Sequence, residues 1–183
     1  MAKAMTGVFT ITDQLLMTNA VGANAYVTSS IPIGSLIDVG DAQALEILSV
    51  DYIYQNLDQQ DGHYEAIHTN APYAGDCGWG AQLMDRNAGT WLSAADNNLI
   101  SSSQILYDSV NQMSVAADFF PDDFQKTNGR FVVNDELYLT GYQSIAPNSS
   151  NDDLAVTVRI RAKVVKLSTR DWMAISLETV QNE

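Results

Sequence analysis

The chain has 183 residues, 46% of them hydrophobic, and 22 acidic against 9 basic residues give it a net charge of −13. A chain of this length can bury a sizeable core without disulfides, and its aliphatic and aromatic content excludes disorder throughout. No apolar run reaches the length of a membrane span, and no secretory leader is expected. The single cysteine, Cys77, fits synthesis in a reducing cytoplasm.

The charge is divided unevenly along the chain. Residues 4–125 hold 15 acidic residues and one basic residue, Arg86, whereas residues 126–183 hold seven of each. An acidic surface of this strength disfavours non-specific binding to nucleic acid. The excess of Asp over Glu and the scarcity of Lys are typical of adaptation to salty water, with a merely acidic solvated surface as the alternative.

Short alternating apolar runs separated by turn residues predict an antiparallel β protein. Strands are expected, in chain order, over 7–13, 25–33, 44–57, 63–69, 99–108, 112–117 (where a helix is also possible), 130–133, 136–143 and from 154 onward. The run 44–57 is apolar on both faces, which is typical of a central strand. Residues 70–98, with Pro72 and several glycines, predict a long irregular loop with one short helix at most. The predicted fold class is an antiparallel β-sandwich or single jelly roll with one or two short helices, and residues 1–183 are expected to form one domain.

The final strand is the clearest in the chain. Alternate residues from Leu154 to Val164 are apolar, while the opposite face becomes cationic toward its end. The alternation is expected to shift at residues 164–167, as at a β-bulge.

A C-terminal helix is predicted after this strand. Ser168 with Asp171 three residues later is typical of a helix start. Its apolar stripe would consist of Met173, Leu177 and Val180, with Trp172 and Ile175 beside it. A last strand with alternating apolar residues over 173–177 is the competing interpretation.

The segment from His63 to His68 is the main metal-like cluster. On a strand, His63 and Glu65 point to one side and His68 to the other, so the three cannot readily converge on one ion. A polar outward strand face is the favoured interpretation. A cupin-like metalloenzyme that uses these three residues is the least favoured alternative.

Cys77 lies in the glycine-rich stretch Gly75–Gly80. A catalytic cysteine needs a histidine base and an orienting group, and the spacing shows neither. Nucleophile-elbow, phosphate-loop and zinc-protease motifs are absent from the sequence. The sequence therefore predicts a protein that is not an enzyme, with no catalytic residue, metal or cofactor.

Five cations gather near the C-terminal end: Arg159, Arg161, Lys163, Lys166 and Arg170. The first three recur at every second residue and therefore project from one strand face, where like charges repel unless anions oppose them. One interpretation is pairing within the chain, with Asp135, Glu136 or acids of the 44–57 strand. The other is a contact with a neighbouring subunit or a polyanion, for which these five residues are the candidates.

Aromatic residues in and near the predicted loop are candidates for contact with a glycan or receptor. Tyr73, Trp79 and Trp91 are the residues expected to stack on sugars, with Tyr64 nearby. A jelly-roll binding module for glycans or a receptor is therefore the main alternative function. Such a module should be small and soluble, whereas a shell subunit should form large closed assemblies.

Two segments carry a resemblance to a known class of proteins. VGDAQALEILSV at Val39–Val50 and VRIRAKVVKLSTRDW at Val158–Trp172 resemble the small single jelly-roll capsid proteins of virus particles. The resemblance implies a structural subunit that resides in the virion, is made in the host cytoplasm and assembles with copies of itself or sister capsid proteins. It implies no sequence-specific binding of nucleic acid.

The chain departs from many capsid proteins at its N-terminus, where Lys3 is the one cation and a basic arm is lacking. This departure argues against packaging of the genome by a tail. It suits a shell that lies over an internal membrane or another protein layer, with the cationic strand face as the surface that would contact membrane or genome.

Overall fold

The computed structural model describes residues 2–18, 22–67, 75–111, 113–116, 123–124, 129–144 and 152–180. Within these ranges the chain forms eleven strands and one α-helix. The strands are β1 (Lys3–Ala4), β2 (Phe9–Met17), β3 (Ala25–Pro32), β4 (Gln43–Asp58), β5 (His63–Glu65), β6 (Cys77–Met84), β7 (Leu99–Asp108), β8 (Met113–Ala116), β9 (Arg130–Val132), β10 (Glu136–Gln143) and β11 (Asp152–Lys166), and the helix is α1 (Thr169–Val180).

Eight of the strands are arranged as a jelly roll. The first sheet has the order β2-β11-β4-β9, extended by β1 beside β11 and by β5 beside β4, and the second has the order β3-β10-β6-β7, extended by β8. All the pairs are antiparallel. Numbered along the chain, the eight strands have the orders 1-8-3-6 and 2-7-4-5, which is the double Greek key of a jelly roll. The predicted fold class is confirmed.

One apolar core lies between the two sheets. Alternate residues of β11 from Leu154 to Val164 all face it and are buried, as the alternating pattern predicts. From the second sheet, Trp79 and Leu83 of β6 and Leu139 of β10 enter the same core. The sheets approach closely at Gly141, where an added Cβ would lie 2.7 Å from Leu15 and 2.8 Å from Met17.

A bulge in β4 explains why that strand is apolar on both of its sequence faces. Arg161 pairs with Ser49 and Ala162 pairs with Ile47, so Leu48 is the extra residue. Residues 45 and 47 before the bulge and residues 50, 52 and 54 after it therefore all face the core cluster. The bulge predicted at 164–167 of β11 is wrong, because the alternation of β11 continues to Val165 and the irregularity lies in the facing strand.

Helix α1 packs on the outer face of the first sheet. Ser168 caps it, since its Oγ accepts a hydrogen bond from the backbone N of Asp171 at 3.2 Å. Trp172 and Ile175 pack against a small second cluster that contains Ala44, Val165 and Val133.

The helix is confirmed, but its predicted apolar stripe is not the packed face. Met173 and Leu177 are exposed, and the side chain of Val180 lies outside the described residues. Trp172 fixes the orientation of the helix instead, because its indole Nε1 donates to the backbone oxygen of Gln43 at 3.3 Å while its rings are partly buried. In the part of the chain that the structure describes, no helix is long and apolar enough to cross a membrane.

The irregular loop expected over 70–98 contains a central strand, β6, between β10 and β7. Cys77, Trp79, Ala81 and Leu83 alternate into the core, while Gly78 and Gly80 occupy the other face. The glycines were misleading because they lie on the outward face of a strand rather than in turns. An added Cβ at Gly80 would clash with the indole of Trp91, so the glycine leaves room for the 86–97 segment to cover the strand.

Candidate functional site

Candidate functional residues lie on the two outer faces of the sandwich. The outer face of the first sheet carries the cations of β11, and the outer face of the second sheet carries aromatic and aliphatic side chains.

Of the five cationic residues, Lys163 and Lys166 form ion pairs with acidic residues of the same chain. The Nζ of Lys163 lies 3.2 Å from the Oε1 of Glu46 on β4, and Lys166 forms an ion pair with Asp41 just before β4. Lys166 also lowers the pKa of the Asp41 carboxyl through the hydrogen bond and charge that it supplies. Lys163 and Lys166 are thus neutralised within the chain, and the partner of Lys163 comes from the 44–57 strand, as one of the two interpretations expects.

Arg159 and Arg161 are exposed on the same face as Lys163 and form no ion pair among the described residues. Arg159 lies opposite Asp51 on β4 and Thr12 on β2, whereas Arg161 lies opposite Ser49 and Thr10. Arg161 therefore has no acidic residue directly across from it on either neighbouring strand. Arg170 is also exposed, on the first turn of α1.

Neither candidate for enzyme chemistry forms a recognisable centre in the described residues. His63 is exposed on β5 with Glu65 two residues later, and His68 lies outside the described residues. Groups of three or more metal-ligating side chains are absent from the part of the chain that is described. Burial raises the pKa of the Cys77 thiol to about 12, and the neighbouring Asp76 adds to the effect, so the thiolate needed for a nucleophile does not form at neutral pH.

An aromatic groove lies on the outer face of the second sheet. Its cavity measures about 360 Å³ and is lined by Tyr26, Gly78, Trp79, Trp91, Gln104, Leu106, Tyr142 and Ser144. The ring of Tyr142 lies 5.2 Å from that of Tyr26 and 6.0 Å from that of Trp91. The three rings form one continuous wall above the two glycines of β6.

The residues predicted to stack on a ligand have three different placements. Trp91 is in the wall of the aromatic groove. Trp79 is buried, with 1% of its surface exposed, and packs against Tyr107 in the core, so its expected role as a loop contact is corrected. It lies on the inward face of β6, because odd-numbered residues of that strand face the core. Tyr73 lies outside the described residues, and Tyr64 is exposed on the other sheet, where its hydroxyl donates to Gln14.

Tyr26 and Tyr142 were not anticipated from the sequence. They are directly opposite each other in the pairing of β3 with β10. Tyr138, Thr140 and Tyr142 share the outward face of β10, and this alternation is visible in the sequence. The pairing of β10 with β3, which brings the two rings together, is not.

An apolar patch continues from this groove to the edge of the sheet. Leu106 on β7 and Val115 on the edge strand β8 are register partners, and Met113 precedes them on the same face; all three are exposed. A second cavity of about 600 Å³ lies against these residues and is bordered by Asp76 and Asp108. We call Leu106, Met113 and Val115 the edge patch.

The fold is similar to that of solved polyomavirus VP1 structures, the capsid proteins of those viruses. VP1 of Trichodysplasia spinulosa-associated polyomavirus in complex with 3'-sialyllactose is 10% identical, with a TM-score of 0.46 over 91% of this chain and 97% of that chain. Merkel cell polyomavirus VP1, as an unassembled pentamer, is 8% identical, with a TM-score of 0.44 over 91% of this chain and 99% of that chain.

No family model matches the sequence, and no curated protein matches it. The solved VP1 structures are capsid proteins, which is the class of proteins that the two quoted segments resemble.

Proposed function

We propose that this chain is a structural, non-enzymatic subunit of a virus capsid or a similar large protein shell, and that residues 1–183 act as one jelly-roll domain in it. The proposal places the protein in the virion, in contact with copies of itself or with sister subunits. A fold alone does not specify a function, so the support has to come from the surface.

The observation that carries the proposal is the presence of exposed apolar side chains on separate sides of the molecule. The edge patch lies at one end of the second sheet, and Met173 and Leu177 lie on the free face of α1, which packs on the other sheet. A subunit of a closed shell contacts neighbours on several sides, whereas a simple dimer needs one patch. Contiguous exposed apolar surface is typical of such contacts.

The edge strand β8 offers the strongest single contact. Its outward residues Met113 and Val115 are apolar, and β8 carries neither a lysine nor a proline. Lysine and proline are two of the devices by which natural proteins protect an exposed edge, and an apolar edge that lacks them can associate with another chain. In the shell proposal, the chain that contacts β8 is a second copy of this protein or a sister subunit.

The exposed arginines of β11 and α1 supply a second contact in the proposal. Arg159, Arg161 and Arg170 are exposed on a chain whose residues 4–125 are strongly acidic. The cationic face of one copy would meet the acidic surface of another, which gives a head-to-tail contact that can repeat around a shell. An internal membrane or the genome is the other surface that this face would fit.

The test is the size of the native protein and of one edge variant. Electron microscopy and light scattering of the purified protein should show large closed particles. Val115→Lys should reduce these to small species, because a lysine at an edge strand opposes pairing with another chain. Val8→Lys is the matched control, since Val8 is 53% exposed and Val115 is 56% exposed but Val8 lies outside the edge patch. A native protein that is monomeric at all concentrations, or equal behaviour of the two variants, would contradict the proposal.

A further inference from the structure

We infer that the aromatic groove binds an uncharged glycan through stacking of a sugar ring on Tyr26, Tyr142 and Trp91. The inference goes beyond the shell proposal and does not depend on it, because Tyr26, Tyr142 and Trp91 line the groove and not the cavity beside the edge patch. The two cavities adjoin at Gly78, Leu106 and Ser144.

The wall of the groove has the geometry of a stacking platform. The planes of Tyr26 and Tyr142 are inclined by 33°, and those of Trp91 and Tyr142 by 60°. Tyr26 is 43% exposed although its ring is large and apolar. Aromatic rings that remain accessible beside a cavity favour a flat apolar partner, and the C–H face of a pyranose is such a partner.

The lack of a side chain at Gly78 leaves open space at the floor of the groove. Gly78 lies on the outer face of β6, and the nearest atom to an added Cβ there is the Cδ2 of Leu106 at 3.4 Å. A Cβ would therefore fit sterically at this position, and a longer side chain would extend from it into the cavity. A strand glycine that packing does not require leaves room for a ligand to approach the backbone closely.

The groove also offers polar groups for the hydroxyls of a sugar. Gln104 is exposed at the side of the cavity, and the Oγ of Ser144 accepts a hydrogen bond from the backbone N of Gly78 at 2.7 Å, which leaves its own proton to donate. The hydroxyl of Tyr142 donates to the Oδ1 of Asn24 at 3.1 Å, so its oxygen can still accept. A few polar groups on a mainly apolar wall are typical of small-molecule sites.

The position of the groove disfavours an extended peptide as its occupant. The groove is lined from β3, an edge strand of the sheet, and from β10, β6 and β7, each of which is paired on both sides. The main-chain groups of these three inner strands are used within the sheet, so strand addition, which requires an exposed edge, is not available along the floor of the groove. Recognition has to come from ring faces and side-chain hydrogen bonds.

The charge of the residues around the groove argues against an acidic sugar as the ligand. Among the described residues that line the two cavities there is no lysine or arginine, and Asp76 and Asp108 border the second cavity. The whole chain has a net charge of −13. A sialylated or sulfated glycan would meet repulsion without a paired cation, whereas an uncharged glycan would not.

The test uses a defined panel of uncharged oligosaccharides that contain glucose, galactose and N-acetylglucosamine, together with the sialylated and sulfated forms of the same compounds. Binding to the native protein is measured by saturation-transfer NMR and calorimetry. At least one uncharged member should bind more tightly than its charged forms. Tyr26→Ala should weaken that binding about tenfold, as loss of one stacking ring implies.

Two further variants make the test specific. Tyr64→Ala is the matched control, because Tyr64 is 48% exposed but lies on the other sheet, and it should leave binding unchanged. Gly78→Leu should abolish binding by filling the cavity, with the melting temperature and particle size measured to show that the fold and assembly persist.

The inference would be overturned by no binding of any uncharged member at millimolar concentration, by preference for the charged forms, or by equal effects of Tyr26→Ala and Tyr64→Ala. A change in particle size with Tyr26→Ala would also overturn it, because the groove would then be a contact between copies. Particle size and glycan binding are separate measurements, so failure of this inference and failure of the shell proposal are distinguishable.

Discussion

The two sheets share one core but present opposite chemistry to the outside. The outer face of the first sheet is polar: Arg159 lies between Asp51 and Thr12 of the neighbouring strands, and Arg161 lies between Ser49 and Thr10. The outer face of the second sheet carries a wall of three aromatic rings and an apolar edge. Both faces are built from strands with the same alternating period, so their difference lies entirely in which residues take the outward positions.

This contrast shows that the net charge of the chain does not describe either of its two outer faces. The chain as a whole is strongly acidic, yet the exposed side of β11 is cationic and the exposed side of β6 and β10 is almost uncharged. An acidic average therefore says little about the partner of a given face. The first face fits an anionic partner, and the second fits an apolar or stacking one.

The largest expected effect concerns the ion pair that joins the sheets at one end. Asp85 directly follows β6 of the second sheet, and its Oδ2 lies 3.3 Å from the Nη2 of Arg130 on β9 of the first sheet. Its other carboxyl oxygen, Oδ1, is buried without a hydrogen-bond partner among the described residues. Burial raises the pKa of Asp85 to about 6 from its ordinary value of 3.8, with Arg130 opposing the shift and Asp96 adding to it.

A pKa raised in the folded state means that the folded protein binds the proton more tightly than the unfolded chain does. The contribution of Asp85 to stability is therefore fully present below about pH 4 and is lost as the pH rises through about 6. The raised pKa corresponds to at most about 3 kcal/mol of unfolding free energy. The unfolding free energy of the native protein, measured with urea, should be lower at pH 7 than at pH 4.5, and Asp85→Asn should make this difference smaller. An equal difference in the native protein and the variant would contradict this expectation.

The sequence alone predicted most of the fold but little of this joint between the sheets. Alternation in β11 and the capping residue Ser168 are local signals, and local signals were sufficient for those elements. Strand β6 was missed because its two outward glycines are typical of a loop, and the need for one of them, Gly80, depends on the distant residue Trp91, whose indole packs against it. The Asp85–Arg130 and Tyr26–Tyr142 contacts depend on strand pairing between distant segments, which no local pattern specifies.

The second prediction tests whether the packing of Trp91 on the second sheet requires a glycine at position 80. Gly80→Val should destabilise the fold by about 1–3 kcal/mol, because the added side chain takes the space of the Trp91 indole. Gly78→Ala, two residues away on the same face, should have little effect, since its Cβ meets only an ordinary contact with Leu106 at 3.4 Å. Chemical unfolding with tryptophan fluorescence measures both. Equal destabilisation by the two substitutions would show that strand glycine as such, rather than the packing of Trp91, is responsible.

The smallest effect on stability, and the most informative for function, concerns the paired and unpaired cations of β11. Lys163 has a partner in Glu46 at 3.2 Å, so a double-mutant cycle on Lys163 and Glu46 should give a coupling of up to about 1 kcal/mol, as expected for a partly exposed ion pair. Arg161 lies opposite Ser49 and Thr10. Arg161→Ala should therefore change the unfolding free energy of the isolated chain by no more than about 0.5 kcal/mol.

Arg161→Ala should nevertheless impair assembly, since an exposed guanidinium without an acidic cross-strand neighbour remains available to a carboxylate of another copy or to a polyanion. Particle yield measured by light scattering over a range of salt concentrations separates the two roles, because a charge contact between copies weakens as salt rises. If Arg161→Ala leaves both stability and particle yield unchanged, the outer face of the first sheet is an ordinary solvated surface. Assembly would then depend on the apolar edge patch and the free face of α1 alone.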